Sequence, residues 1–529
     1  MEQDLQDLSQ ELSGELKCDR LHQSIYATDA SVYRKLPLAV CYPKDKEDLV
    51  RLIRFARDKK ASLIPRAAGT SLAGQCVGDG IVVDTSRHFN RILAFDERNK
   101  TVKVEPGVIR DELNEFLKPF GLFFGPNTST SNRCMMGGMV GNNSSGTTSI
   151  KYGVTRDKVI EMTVLLSDGS EMVTTPLTRM ELPQKMKGDS LESKIYSVLH
   201  NELSQPAVQQ SIREEYPKKN IHRRNNGYAL DSLLETEPFT ENGQPFNLGK
   251  LLCGSEGTLS LTLDITLNLN DLPPSNKVLV AAHFNSIEES MSAVVTAMKH
   301  ELYMCELMDK TILDCTKNNR EQSKNRFFIE GDPRAVLMME ICAETEEEAN
   351  ARAESLINDL SDKKLGYAFP MLRGEDIVKA FTLRKAGLGL LGNLVGDRKA
   401  VACIEDTAVE VSDLPAYIKE FTAMMKRHGQ EAVYYAHAGA GELHLRPILN
   451  LKQDGDVRLF REITTEVASL VKQYGGSMSG EHGDGIVRSE FLPMMIGKKN
   501  YELNRRGKQL FDPENIFNPG KIIDPWPMD

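Results

Sequence analysis

The stretch from Gly137 to Gly146 constrains this chain of 529 residues more than any other part of the sequence. Eight of its ten residues are Gly, Asn or Ser, which bury little apolar surface and lose much backbone entropy on ordering. Packing alone does not account for that composition. The stretch therefore predicts a loop whose bare backbone approaches a large polar ligand.

Two further loops have the same character. Pro65–Gly74 follows a short apolar strand, and it offers backbone N–H groups and the hydroxyls of Thr70 and Ser71 to a phosphate. Gly254–Thr258 leads into another predicted strand. Three such loops favour a ligand such as FAD over ordinary turns. The candidate cofactor-binding residues are Pro65, Arg66, Ala67, Ala68, Gly69, Thr70, Ser71, Gly74, Pro126, Asn127, Thr128, Ser129, Gly137, Gly138, Gly141, Asn142, Asn143, Ser144, Gly146, Gly254, Glu256, Gly257 and Thr258.

The alternation of strand and helix patterns predicts an α+β fold of more than one domain, because 529 residues exceed a single compact core. The predicted units are an N-terminal helical segment (1–36), a strand-rich domain (37–270) with a helical insertion at about 180–250, a second domain (271–500) and a C-terminal tail (501–529). In the N-terminal segment, Leu5, Leu8, Leu12 and Leu16 lie on one predicted helical face. In the second domain Val278–Phe284, Ala335–Cys342 and Val401–Ile404 each precede a helical pattern. This repeat predicts a sheet covered by helices on one face.

One motif is misleading. Gly387–Gly392 fits G-x-G-x-x-G, but it follows the helical pattern Glu375–Lys385 and opens no βαβ unit. No Rossmann fold is predicted.

The charge and the cysteines exclude several classes of protein. A net charge of -10 argues against a nucleic-acid binder, so an anionic substrate needs a local cationic cluster. The nine cysteines form no C-x-x-C pair, which argues against a zinc ribbon or an iron–sulfur cluster within this chain and predicts reduced thiols. With no signal-like N-terminus and no apolar run of about 20 residues, the expectation is a cytoplasmic chain without a transmembrane segment. Peripheral association with the inner face of the membrane stays open.

Histidines concentrate in two glycine-containing segments. His437 and His444 flank a Gly/Ala-rich turn that predicts a hairpin, and both imidazoles can converge on one point. Glu481 and His482 lie in a second glycine-rich turn. Two His and one carboxylate are a common ligand set for a divalent ion with open coordination positions.

Together these motifs resemble the FAD-linked oxidases of the vanillyl-alcohol-oxidase superfamily, and in particular the D-lactate, glycolate and D-2-hydroxyglutarate dehydrogenase branch. The resemblance implies a two-subdomain FAD-binding domain and a cap domain with an antiparallel sheet covered by helices. It also implies a C-terminal tail that returns to the flavin, and Phe511–Lys521, with Asn518, is similar to that ending. Thr70 stands where covalent members carry a flavin-linked His, which implies non-covalent FAD.

The resemblance also implies roles for the polar residues. His437, His444 and Glu481 match ligands of a divalent metal such as Zn or Mn, and His482 matches the catalytic base. Arg384 matches the residue that binds the carboxylate of a small D-2-hydroxy acid, which would be oxidised to the 2-oxo acid. Arg398 and Lys399 are candidates for a second substrate contact.

Three alternatives stay open. One is flavin-dependent ether-lipid synthesis without net redox change, which needs a long hydrophobic tunnel. Another is a non-catalytic FAD-binding subunit, against which the joint presence of the four site residues counts. Finally, Gly480–Leu492 is similar to longer members fused to an iron–sulfur region, so the chain is expected to be a split subunit or a fragment that passes electrons to an iron–sulfur partner.

Overall fold

Short apolar runs near the N-terminus pair into a mixed four-stranded sheet. In the computed structural model, which describes residues 1–391 and 395–529, the order of this sheet is β1-β2-β4-β3. Its strands are β1 (Glu15–Lys17), β2 (Ala39–Tyr42), β3 (Leu63–Arg66) and β4 (Ile81–Asp84). The last three run parallel, and β1 is antiparallel to β2.

A five-stranded antiparallel sheet follows, in the order β5-β6-β10-β8-β9. Its strands are β5 (Ile92–Asp96), β6 (Thr101–Val104), β8 (Val159–Leu165), β9 (Glu171–Thr174) and β10 (Leu261–Asn268), and a small ribbon joins β7 (Leu122–Phe123) to β11 (Asn270–Asp271). The turns Glu97–Lys100 and Ser167–Gly169 carry the polar residues that hairpins favour. The two hairpins predicted there are confirmed.

Helices pack around these sheets and fill the segment predicted as a helical insertion. They are α1 (Glu2–Glu11), α2 (Arg20–Ile25), α3 (Lys46–Lys59), α4 (Arg110–Leu117), α5 (Met136–Asn142), α6 (Ser149–Tyr152), α7 (Thr155–Lys158), α8 (Leu182–Lys185), α9 (Leu191–Leu203), α10 (Pro206–Glu215), α11 (Leu230–Leu234) and α12 (Gly249–Leu252).

The second half is organised by a large antiparallel sheet in the order β15-β12-β14-β13-β18-β19-β16, with β17 paired to β19. Its strands are β12 (Asn276–Phe284), β13 (Met304–Asp309), β14 (Ala335–Ala343), β15 (Met371–Leu372), β16 (Lys399–Ala400), β17 (Ile404–Ala408), β18 (Ala432–His437) and β19 (Glu442–Leu449). The helices are α13 (Ile287–Ala297), α14 (Lys310–Lys317), α15 (Glu346–Asp362), α16 (Glu375–Leu390), α17 (Leu414–Arg427), α18 (Asp454–Gln473), α19 (Gly485–Arg488), α20 (Leu492–Met495) and α21 (Lys498–Phe511). The predicted α+β class with an antiparallel cap sheet is confirmed.

Helices cover both faces of this sheet, so the prediction of one covered face is wrong. Val278 and Val280 pack in the core that contains α13, α15 and α17, whereas Leu279 and Ala281 pack with α14 and α16. The run of apolar residues along β12 has the pattern of a strand buried on both faces.

Two local predictions also need correction. The helical face Leu5–Leu16 is interrupted, because α1 ends at Glu11 and Leu16 lies in β1, although all four leucines are buried. The chain turns where the backbone N–H groups of Ser13 and Gly14 donate to the Asp48 carboxylate at 2.8 Å. The strand predicted at Val401–Ile404 begins only at Ile404.

Gly387 and Gly389 of the misleading motif lie inside α16, which confirms that they open no βαβ unit, and Gly392 lies outside the described residues. All nine cysteines are free thiols. Within the described ranges, no helix combines the length and the apolar character that a bilayer span requires.

Candidate active site

The three glycine-rich loops meet around one cavity. The first continues from β3, the second contains α5, and the third precedes β10. The predicted residues that line the cavity are Pro65, Arg66, Ala67, Gly137, Gly138, Gly141, Asn142, Glu256 and Gly257. Gln75, Cys76 and Ser255, which the sequence analysis did not select, line it as well.

The side chains of the described residues leave part of this cavity open. A Cβ atom placed on Gly141 would meet no heavy atom within 4 Å, and one on Gly138 would meet only Ala67 Cβ, at 3.5 Å. The buried Gln75 Oε1 has no hydrogen-bond partner among the described atoms. Bare backbone and an unsatisfied polar atom beside open space fit a polar ligand such as FAD.

Other predicted loop residues hold the loops in shape. The Asn143 side chain donates to Asn225 Oδ1 and accepts from the Arg156 N–H, both at 2.7 Å, and Ser71 Oγ donates to Asp29 at 3.0 Å. Of the described residues, Ala68, Gly69, Thr70, Gly74, Pro126, Ser144, Gly254 and Thr258 belong to the loops without lining the cavity.

The C-terminal segment ties two of the loops together. Asn518 Nδ2 donates to the carbonyl oxygens of Gln75 at 2.9 Å and Glu256 at 2.8 Å. Lys508 Nζ donates to the Thr258 carbonyl oxygen at 2.7 Å. This tail therefore supports the first and third loops through buried hydrogen bonds. No local sequence pattern predicts these bonds, because their partners are far apart in the chain.

A second cavity of about 300 Å³ lies between the second loop and the large sheet. Its lining includes Leu72, Asn127, Thr128, Ser129, Gly146, Met304, Phe381, Arg384, Lys385, Glu405, Tyr435, His437, His444, Glu481 and His482. The fold thus brings loop residues predicted for the cofactor to the same cavity as the residues predicted for chemistry.

The predicted histidine hairpin is confirmed. Strands β18 and β19 are antiparallel, with Tyr435 opposite His444 and His437 opposite Glu442. Gly441 in the turn has φ +73°, and a Cβ there would lie 2.0 Å from the Val409 carbonyl oxygen. The ring centroids of His437 and His444 are 5.0 Å apart.

Both imidazoles turn one nitrogen toward Glu481. Nε2 of His437 and of His444 lie 3.2 and 4.0 Å from Glu481 Oε2, while their Nδ1 atoms lie 2.8 Å from Glu306 and 3.2 Å from Asp406. Carboxylates behind metal-binding histidines fix the tautomer and the ring orientation. His437, His444 and Glu481 offer ligand atoms within 4.8 Å of one another, which fits a divalent ion.

The ionisation of these groups suits metal binding. Burial raises the pKa of Glu481, but His437, His482 and Arg223 outweigh it and lower that pKa to about 2. Burial lowers the pKa of His444, because the imidazolium loses its hydration. A charged carboxylate and a neutral imidazole are the forms that bind a metal.

His482 is held by a bidentate contact to Asp406. Its Nδ1 lies 2.6 Å from Asp406 Oδ1, and its backbone N–H donates to Oδ2 at 2.5 Å. Burial lowers the pKa of His482, but Asp406, Glu481 and Glu405 together raise it to about 9. Asp406 has φ +75° at a bulge in β17, a left-handed conformation that is uncommon outside glycine and is often found at functional sites.

Arg384 lies on α16 and lines the second cavity. Its guanidinium carbon lies 4.1 Å from the Tyr435 ring centroid, Nη2 donates to the Ala436 carbonyl oxygen at 3.3 Å, and the group is ion-paired with Glu306. Its Nε has no hydrogen-bond partner among the described atoms.

The other two predicted substrate contacts lie elsewhere. Arg398 donates to the Ile448 carbonyl oxygen at 2.7 Å, and Lys399 begins β16 opposite Leu449. In the described part of the chain, neither residue lines the second cavity.

Several buried charges of the site were missed by the sequence analysis. They are Arg223, Glu306, Glu405, Asp406 and Glu442, together with the partly buried Arg446. Glu306 inside the apolar strand β13 was an available signal, because a charged residue is rarely buried unless it is paired. Arg223 contacts Glu481 Oε2 at 3.0 Å and is also paired with Glu442.

Two family matches cover most of the chain. Residues 37–175 match the family described as FAD binding domain, and residues 273–522 match the one described as FAD linked oxidases, C-terminal domain. The first match contains the first two glycine-rich loops and the second contains the large sheet, whereas the third loop lies between the two matches.

Relatives agree with this assignment. The chain is 34% identical over 523 residues to the D-2-hydroxyglutarate dehydrogenase of Pseudomonas putida, covering 97% of this chain and 51% of that protein. It is 25% identical over 508 residues to the glycolate oxidase subunit GlcD of Bacillus subtilis, covering 94% of this chain and 92% of that one. The chain spans about half the length of the first four curated relatives it matches.

A solved structure of alkyldihydroxyacetonephosphate synthase superposes with a TM-score of 0.64 at 16% identity, over 98% of this chain and 84% of that one. This likeness concerns the fold alone. From the two family matches and the two cavities, the chain belongs to the FAD-linked oxidases of the vanillyl-alcohol-oxidase superfamily.

Proposed function

We propose that this protein is an FAD-dependent dehydrogenase that oxidises a D-2-hydroxy acid of the lactate, glycolate or 2-hydroxyglutarate type to the 2-oxo acid. One observation carries the proposal. The candidate metal ligands, His482 and Arg384 line the same cavity as Asn127 and Gly146, two residues predicted to bind the cofactor. The names of the two relatives support the same substrate class.

The loops around the first cavity would hold FAD without a covalent bond. Backbone N–H groups of α5 and of the loop after β3 would bind its phosphates, with Gly138 and Gly141 leaving room for the ligand. When bound, FAD supplies the two-electron acceptor.

His437, His444 and Glu481 would hold a divalent ion such as Zn²⁺ or Mn²⁺. When bound, such an ion supplies a Lewis acid that lowers the pKa of the substrate hydroxyl. Arg384 would bind the substrate carboxylate through its guanidinium N–H groups and so orient the α-carbon.

A divalent cation held by the neighbouring ligands would lower the pKa of His482 from about 9 and so favour its neutral form. In that form His482 would accept the hydroxyl proton at Nε2 as the α-hydrogen leaves with its electron pair. Asp406 contacts Nδ1, fixes the tautomer and stabilises the imidazolium that results. The pairing of a base with a buried carboxylate is what an acid–base role requires.

The charged lining favours a small anionic substrate over the alkyl chain of an ether lipid, since an apolar chain gains nothing beside Arg384, Glu405 and His482. A separate electron acceptor, such as an iron–sulfur protein, is part of the proposal, because the Bacillus relative is named as a subunit. Co-purification from the native host tests that part.

The main test is anaerobic mixing of the FAD- and Mn²⁺- or Zn²⁺-loaded protein with pairs of D- and L-2-hydroxy acids. Loss of the visible flavin absorbance with a D-acid, and not with its L-enantiomer, is the expected result. A flavin that stays oxidised with every acid would contradict the proposal and favour the non-redox alternative.

A further inference from the structure

A buried carboxylate joins the candidate metal site to the candidate substrate-binding arginine. Glu306 lies in β13 and is 1% exposed. Its Oε2 and Oε1 lie 2.8 and 3.1 Å from His437 Nδ1, and the same carboxylate is ion-paired with Arg384. One side chain therefore contacts two groups that have different proposed roles.

The contact to His437 decides which nitrogen is available to a metal. An imidazole that donates from Nδ1 keeps its lone pair on Nε2. Nε2 of His437 is the atom that lies 3.2 Å from Glu481. Glu306 thus orients this ligand toward the other two.

The contact to Arg384 fixes the guanidinium against the cavity wall. Glu306 and the Ala436 carbonyl oxygen accept from it, and the Tyr435 ring packs beneath it. A guanidinium has five N–H donors, so these contacts leave donors for a substrate carboxylate.

Charge gives Glu306 a second effect. A divalent ion held by His437 would repel the guanidinium of Arg384. This repulsion is stronger in a buried cavity than in water. The negative charge of Glu306, which contacts His437 and Arg384, would offset this repulsion. Removing the charge of Glu306 would leave this repulsion without compensation.

We propose that Glu306 is a positioning residue that couples metal affinity to carboxylate recognition. This inference deepens the proposed function and rests on it for the identity of the metal site and the substrate. Neutralising Glu306 should weaken metal binding and carboxylate binding together. Neutralising a glutamate that has only a structural role should not weaken these two kinds of binding selectively.

The test compares Glu306→Gln and Glu306→Asp with the control Glu340→Gln. Glu340 is also buried, lies in the adjacent strand β14 and pairs with Met304, two residues from Glu306. Equilibrium dialysis of the FAD-loaded proteins measures the affinity for Mn²⁺ and Zn²⁺. At saturating Mn²⁺, the flavin absorbance change on adding 2-oxoglutarate measures carboxylate binding.

In Glu306→Gln we expect metal affinity to fall about 10–100-fold, together with weaker 2-oxoglutarate binding. Glu306→Asp, which keeps the charge, should retain more affinity, and Glu340→Gln should match the wild type. Wild-type metal affinity in folded Glu306→Gln, or equal losses in Glu306→Gln and Glu340→Gln, would overturn the proposal.

If Glu306→Gln does not fold, the double variant Glu306→Gln/Arg384→Gln removes both charges of the pair. It should bind metal more weakly than Arg384→Gln alone, because His437 still lacks its carboxylate, and equal affinities would overturn the proposal. Metal affinity needs no turnover. Failure to oxidise any 2-hydroxy acid would therefore reject the proposed function without deciding the role of Glu306.

Discussion

The two cavities on either side of the second loop shift the pKa of a buried carboxyl group in opposite directions. In the first, Glu256 accepts hydrogen bonds from the N–H groups of Asp484 and Gly485 and from Gln75, and burial together with nearby Asp484 raises its pKa to about 8. In the second, Glu481 lies among imidazoles and Arg223, and its pKa falls to about 2. Burial is common to both, so the neighbouring charges decide the ionisation state.

This difference suits two tasks. A cavity lined by glycines and small loop residues presents backbone donors and space, which a large cofactor needs. A cavity lined by paired charges presents ionised ligands, a base and a guanidinium, which a metal ion and a small acid need. Substitutions on either side of the second loop test this division.

Loss of a proposed metal ligand should have the largest effect. Glu481→Gln removes the charge that faces His437 and His444, so we expect loss of the bound ion and a fall in flavin reduction rate of about a thousand-fold or more. Elemental analysis and anaerobic stopped-flow absorbance measure the two quantities. The control Glu466→Gln changes a partly exposed glutamate on α18. An unchanged metal content in Glu481→Gln would contradict the assignment.

Loss of the base should slow chemistry and leave the cofactor in place. In His482→Gln we expect flavin reduction to fall about 10²–10⁴-fold, the usual contribution of a general base. FAD affinity, measured by fluorescence titration, should not change, because His482 lines the second cavity. His300→Gln, which alters a histidine paired with Asp359, is the matched control. A loss of FAD affinity in His482→Gln would contradict the separate roles of the two cavities.

The raised pKa of Glu256 predicts a pH dependence of apoprotein stability. Because its folded pKa of about 8 exceeds the ordinary value of 4.5, the stabilising contribution is complete below about pH 4.5 and is lost as pH rises toward 8. Thermal unfolding should show a decline between pH 5 and 8 of about 1–3 kcal/mol. Glu256→Gln should flatten this decline, and an equally steep decline in that variant would contradict the prediction.

Two glycines of α5 should respond in opposite directions. A Cβ on Gly137 would lie 2.5 Å from Pro106 Cβ, so Gly137→Ala should destabilise the apoprotein by about 1–3 kcal/mol. A Cβ on Gly141 meets only open space, so Gly141→Ala should stabilise the helix by about 0.5–1 kcal/mol and weaken FAD binding. Urea unfolding and FAD titration measure these effects. Tighter FAD binding by Gly141→Ala would contradict the proposed position of the ligand.

Local sequence patterns were sufficient where the structure is local. The β5–β6 and β8–β9 hairpins, the turn between His437 and His444, and the three glycine-rich loops depend on residues close together in the chain. The extent of β17 was not predictable in this way, because the bulge at Asp406 depends on its pairing with β19.

Local sequence patterns could not predict the partners of the site residues. Glu306 is 131 residues from His437, and Arg223 is 258 residues from Glu481. Arg398 and Lys399 were selected because they precede an apparent strand, but β16 positions them away from the second cavity. A single sequence gives no indication of which distant charges a sheet will bring into contact.

The sequence by itself determined the fold class, the loops for a large polar ligand and the histidine-rich segments, because turns and strands are encoded over a few residues. Only the tertiary structure decided that helices cover both faces of the large sheet and that Glu306 and Asp406 hold His437 and His482. It also decided the ionisation of the buried carboxylates. The physical reason is that an electrostatic interaction in the interior depends on distance and burial, which chain order does not specify.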